Sequence, residues 1–246
     1  NTIHATPTTL GANAMATDSS DVRDGLIQQL ETDRLLGARA VPIVPSAGAA
    51  KALTKLNTEQ VIDCTKCSLC KTRTQTVFGV GNPAARLVFV GEAPGFEEDR
   101  QGIPFIGRAG DLLTKMIIAM GLKRDDVYIC NVLKCRPPDN RDPSPEEITE
   151  CSPYLFEQLA TISPQVIVAL GAPASKTLLN TDETIGHLRG KFHDFRPTGA
   201  SLEDAPIPLM PTYHPAYLLR SPNQKPKTWS DLQMVMAHLG LKPPAR

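Results

Sequence analysis

Two groups of residues in this 246-residue chain have the types and spacing for chemistry. The first is sulfur. Of six cysteines, Cys64, Cys67 and Cys70 cluster, Cys130 and Cys135 lie close together in an apolar segment, and Cys151 follows. Two residues between cysteines allow a turn whose sulfurs converge, so the CTKC pair reads as metal or redox chemistry. Cys64, Cys67, Cys135 and Cys151 together make a Cys₄ site that suits zinc or an iron-sulfur cluster, with Cys70 a substitute for Cys67. Zinc is the choice on frequency alone, and Cys130 reads as a small apolar residue inside a strand.

The second group is polar and sits after short apolar runs. GEAPGFEEDRQGIPFIGRAG (residues 91–110) follows LVFV. Gly91 and Gly95 permit close approach of another molecule and Pro94 stiffens the turn. Glu92, with Glu97, Glu98 and Asp99, can polarise water or face a developing cation. Phe105, between Gly102 and Gly107, is either a core ring or a fixed aromatic platform. Asn131 interrupts an apolar run, where a buried amide needs partners from backbone or ligand. His214 follows a strand and is held by Pro215. Lys134, Arg136 and Arg141 form a candidate phosphate surface.

These residues need a scaffold, and the apolar pattern supplies one. LVFV (87–90), VYICNVL (127–133), VIVAL (166–170) and IPLMPTY (207–213) are continuous rather than alternating, as for strands buried on both faces. AGDLLTKMIIAMGL, SPEEITECSPYLFEQL and APASKTLL are helical between them, the second opening with Ser144, Pro145 and Glu147 as N-cap, first-turn proline and capping box. The alternation predicts an α/β fold of three layers, α/β/α, around a mostly parallel four-stranded sheet, with ligands at the carboxyl ends of the strands.

The balance of 26 basic and 26 acidic side chains argues against a generically basic nucleic-acid coat. The longest apolar runs are too short for a membrane-spanning helix, and the amino end lacks the layout of a secretory signal. Residues 1–53 read as a disordered N-terminal extension and Pro/Ala linker, and residues 54–246 as the folded domain.

CTKC, GEAPGFEEDRQGIPFIGRAG, CNVLKCRPPDNR, the spacing to Cys151, VIVALGAPA and PTYHPAYLLR occur in this order. Together they resemble the family 4 uracil-DNA glycosylases, from about Cys64 to about Leu239. The resemblance implies the uracil-glycosylase fold and a [4Fe-4S] cluster, in place of zinc, on Cys64, Cys67, Cys135 and Cys151. It implies a base-excision repair enzyme acting on uracil-containing DNA, single- or double-stranded, monomeric, cytoplasmic and associated with the bacterial nucleoid, with a replication or repair protein as partner. Catalysis would fall to Glu92, Glu98 and His214. Gly91, Ala93, Phe105, Asn131 and His214 would hold uracil. Pro94, Gly95, Arg108, Tyr217, Leu218, Leu219 and Arg220 would meet DNA, residues 217–219 as a wedge; Lys191 is a weaker phosphate candidate. Ala93 stands where family 1 enzymes carry an aspartate, so the carboxylate role passes to Glu92 or Glu98, with Glu98 favoured for the water and Glu92 for shaping the pocket. A noncatalytic or polymerase-associated module of the same fold is the competing reading. A relative that traps uracil through an inserted histidine is disfavoured, because CRPPDNRDPSPEE has none.

Overall fold

A computed structural model describes residues 47–197 and 205–242. The expected extension falls almost wholly outside the described residues. Its last part does not: helix α1, Ala47–Leu56, crosses the anticipated boundary at residue 54 and buries Leu53 and Leu56.

The four apolar runs form β2 (Leu87–Gly91), β3 (Tyr128–Asn131), β4 (Val166–Leu170) and β6 (Ile207–Thr212), all mutually parallel. Two short strands, β1 (Val80–Gly81) and β5 (His193–Phe195), add antiparallel edges, so the described sheet has six strands in the order β1-β3-β2-β4-β6-β5. The four-stranded expectation corresponds to the parallel centre. The edges, at two and three residues, are too short to carry a periodic signal.

Side chains leave a strand alternately up and down, so each continuous apolar run feeds two cores. Val88, Val90, Tyr128, Cys130, Ile167, Ala169 and Leu209 pack against α4 (Pro145–Ile162), α5 (Ala172–Leu179) and α1. Leu87, Phe89, Ile129, Val166, Val168, Leu170 and Met210 pack against α3 (Arg108–Ala119) and α8 (Lys225–Leu239). The result is the expected three-layer arrangement. Helix α4 starts as its sequence predicts: Ser144 Oγ accepts from Glu147 N, and Glu147 Oε2 accepts from Ser144 N. The short helices α2 (Phe96–Gln101), α6 (Ile185–Leu188) and α7 (Pro215–Arg220) lie along the chain between these strands and helices.

Strand register decides where the polar residues go. Gly91 pairs with Asn131 and Leu170 with Thr212, so the carboxyl ends of the parallel strands form one rim. The β6 end is anchored from below. Buried Asp231 on α8 accepts from Thr212 Oγ1 at 2.6 Å and from Arg189 Nε at 3.0 Å, while Arg189 Nη2 also reaches Lys227 O at 2.6 Å. Thr212 is two residues before His214, so this network fixes the base of the histidine.

Candidate active site

A cavity of about 430 Å³ opens at the rim, lined among others by Glu92, Pro94, Glu98, Phe105, Asn131 and His214. Its centre is built on an absent side chain. A Cβ on Gly91 would stand 2.3 Å from Asn131 Oδ1 and 2.5 Å from Phe105 Cζ. The amide and the ring therefore close over the Gly91 backbone, and only glycine lets them meet there. Asn131 is buried, and among the described residues its Oδ1 has no hydrogen-bond partner. An unsatisfied buried acceptor costs about 1–3 kcal/mol, so this oxygen is available to a donor that enters the cavity.

Phe105 owes its place to unusual backbone. Its φ is +53°, a left-handed conformation that costs a bulky residue energy. Two contacts impose it. Helix α3 comes so close that a Cβ on Gly110 would lie 1.9 Å from Phe105 O. Glu98 Oε1 accepts from Ile106 N at 3.1 Å and from Gly107 N at 3.2 Å, just after the ring. The carboxylate expected to manage water is thus half committed to holding the aromatic loop.

His214 faces Phe105 with ring centroids 5.5 Å apart. It is also the N-cap of α7, its Nδ1 accepting from Ala216 N at 3.1 Å. An Nδ1 that accepts leaves the ring's proton on Nε2, so Nε2–H is a donor. Burial first, and then the charge of Arg220, push the imidazole pKa down to about 4, so the ring is neutral at physiological pH. Glu92 moves the other way. Burial, reinforced by Asp142, raises its pKa to about 7. The rim thus pairs a neutral histidine with a carboxyl group poised near neutrality, the separation of titrations expected of functional groups.

The remaining residues divide. Ala93, Gly95, Tyr217 and Arg220 also line the cavity, and Arg108 is exposed at the first position of α3. Leu219 is exposed at 36%, but Leu218 is 1% exposed in the α3–α8 core and cannot act as a wedge without leaving it. On a helix consecutive residues point about 100° apart, which a run of three wedge residues ignores. Lys134 also corrects the phosphate surface. It is fully buried, donating from Nζ to Asn131 O at 2.8 Å and to Gln158 Oε1 at 2.5 Å. Arg141 makes a two-pronged pair with Glu147, at 2.6 and 2.9 Å, which holds that carboxyl down at about 2. Lys191 is exposed and does not line the cavity. Sequence reasoning missed Asp142, Arg189 and Asp231, because their roles arise only from long-range packing.

On the other side of Lys134, Cys64, Cys67, Cys135 and Cys151 line one further cavity, and Cys70 and Cys130 do not. Among the described residues, no three His, Cys, Asp or Glu side chains come together tightly enough for a single metal ion. A cavity lined by four cysteines suits a cluster in which each thiolate binds its own iron. Donors already point at these sulfurs: Tyr154 Oη to Cys64 Sγ at 3.3 Å, Arg73 Nη1 to Cys135 Sγ at 3.4 Å and Lys134 N to Cys151 Sγ at 3.2 Å. Positive charge and hydrogen bonds of this kind stabilise thiolates on a cluster. The residues present fit the [4Fe-4S] group.

A family model described as the uracil DNA glycosylase superfamily matches residues 78–233. The chain is 45% identical over 189 residues to the type-4 uracil-DNA glycosylase of Archaeoglobus fulgidus, covering 75% of this chain and 92% of that one. It is 47% identical over 170 residues to the type-4 uracil-DNA glycosylase of Thermotoga maritima, covering 69% and 84%. A DNA polymerase of Bacillus phage SP01 is 30% identical over 167 residues, which are 68% of this chain but 17% of the polymerase. The chain therefore belongs to the uracil-DNA glycosylase superfamily. Within it, the chain is a member of the type-4 family.

The Glu98 contacts generate a test that needs no substrate. Glu98→Ala frees the Ile106 and Gly107 amides, and their hydrogen exchange should speed by about tenfold, the loss of roughly one net hydrogen bond. Sheet amides should be unchanged. Unaltered exchange at both loop amides would show that Glu98 does not hold the Phe105 loop.

Proposed function

We propose that this protein is a monofunctional DNA glycosylase that takes uracil out of the DNA stack and hydrolyses its bond to the sugar, leaving an abasic site. The observation that carries the reading is the partnerless Asn131 amide oxygen beside the Phe105 ring, in one cleft with a neutral His214. A base embedded in DNA must be flipped out before its glycosidic bond is reachable. Phe105 stacks on the flipped ring. The Asn131 amide accepts from uracil N3–H and donates to O4. Cytosine offers an acceptor and a donor at those places, so it would leave buried groups unpaired, a strong basis for rejection.

Cleavage of the C1′–N1 bond leaves a cationic sugar and a uracil anion. His214 Nε2–H donates to uracil O2, where the anion's charge gathers. A neutral donor suits this, since it stabilises the anion without surrendering its proton. The carboxylate of Glu92 favours the sugar cation and orients water. With Glu98 Oε1 occupied by the Phe105 loop, the water falls to Glu92 rather than Glu98. Pro94 and Gly95 bring backbone to the strand; Arg108 and Arg220 meet phosphates, and Tyr217 and Leu219 fill the gap left by the flipped base.

Cys64, Cys67, Cys135 and Cys151 would hold the [4Fe-4S] cluster, which would supply a cross-link from the segment before β1 to β3's exit and to α4. The polymerase-associated alternative is not favoured, since relatives named as type-4 enzymes match most of both chains.

The reading is tested by incubating the protein with a uracil-containing oligonucleotide and cleaving the abasic product with alkali. Intact oligonucleotide after long incubation would refute it. His214→Ala should lower single-turnover release by about 100- to 1000-fold, with DNA binding nearly unchanged; equal losses in both would exclude a leaving-group role. Release should rise with pH through about 7, as the raised Glu92 carboxyl ionises, and Glu92→Gln should flatten that rise. His214 is already neutral across this range and does not contribute to it. Cys135→Ser should remove the brown absorbance of the purified protein and lower its soluble yield, whereas a colourless, zinc-loaded wild type would defeat the cluster.

A further inference from the structure

Phe96 is a large apolar side chain that neither core layer uses. The residue is 53% exposed at the first position of α2. Two guanidinium groups lie against it, Arg136 with Cζ 5.2 Å from the ring centroid and Arg100 at 5.7 Å. Arg136 is fixed in that position, since its Nε donates to Asn140 Oδ1 at 2.8 Å. The patch adjoins the cleft: Phe96 directly follows Gly95, and both Gly95 and Asn140 line the uracil cavity. Arg100 also pairs with Glu97 at 3.6 Å, a surface contact of little strength.

An exposed phenyl ring with two cations beside it, at the edge of a nucleotide-sized cleft, matches the chemistry of one unpaired nucleotide. The base has a π face for the ring and the guanidiniums, and its phosphate carries the complementary charge. A base inside a duplex has both faces stacked and its edge paired, so it cannot reach the ring. We infer that Phe96, with Arg136 and Arg100, is a stacking platform for an unpaired base flanking the flipped uracil, and that it biases the protein toward single-stranded substrate. This rests on the glycosylase reading and names the form of DNA that the same cleft prefers. The ring is half in water already, so removing it leaves both cores intact.

The test uses the full chain with Phe96→Ala and Phe96→Trp. On a single-stranded oligonucleotide bearing one uracil, Phe96→Ala should raise KM about tenfold, the loss of one base-aromatic stack, with kcat nearly unchanged. Phe96→Trp should restore the wild-type KM. On the same strand paired with a complement that places guanine opposite uracil, Phe96→Ala should change KM by less than about twofold if the flanking base stays inside the duplex. Binding is read separately with a uracil-free single strand containing 2-aminopurine, whose fluorescence the wild type should quench and Phe96→Ala should not. A wild-type KM for Phe96→Ala on single strands, or equal losses on single and double strands, would overturn the platform. Phe96-dependent quenching by a wild type that releases no uracil would keep the platform and refute the glycosylase reading.

Discussion

The site depends on one pairing, that of Gly91 on β2 with Asn131 on β3. Parallel strands all deliver their carboxyl ends to one edge, and this register sets the amide of Asn131 over a rim position that carries no side chain. Phe105 fills the remaining space above Gly91. A slip of one residue would turn Asn131 to the opposite face of the sheet and bring an apolar neighbour to the cleft. The two cores guard against such a slip, since each strand is buried on both faces. The geometry of the cleft and the fold are therefore set by the same contacts.

Lys134 joins this arrangement to the cysteines. Its ammonium bonds the backbone carbonyl of Asn131 from inside the protein, and its own N–H reaches Cys151 Sγ. Burial pushes the lysine pKa down, while the neighbouring thiols Cys130, Cys151 and Cys135 oppose that shift. The floor of the cleft and one wall of the sulfur cavity are consequently consecutive stretches of a single segment, Asn131 to Cys135.

The sequence was most legible where burial is continuous. LVFV, VIVAL and the Ser144 capping box each carry their structure in a few adjacent residues, and the strands and α4 appear as expected. The ends of those runs also located the cleft, through Glu92, Asn131 and His214. What could not be read was any role set by distant partners. Glu98 looked like a free acid until the fold placed the amides of Ile106 and Gly107 on it. Lys134 looked like a phosphate ligand because charge is visible in a sequence and depth is not. Leu218 failed for the same reason: its neighbours in PAYLLR say nothing of which side of α7 meets the core.

His214 is also a helix cap, and its lone pair has two claimants. In the native protein the Nδ1 pair belongs to the Ala216 peptide. A proton arriving at Nδ1 must evict that peptide, so acid would not only charge the ring but also unfasten the start of α7. The unfolded chain takes up this proton near 6.5, whereas the folded chain resists until about 4. Stability from this residue is thus full above that window and drains away as pH falls through it. The ring is kept neutral by a competition in which a turn of helix stands against a single hydrogen ion.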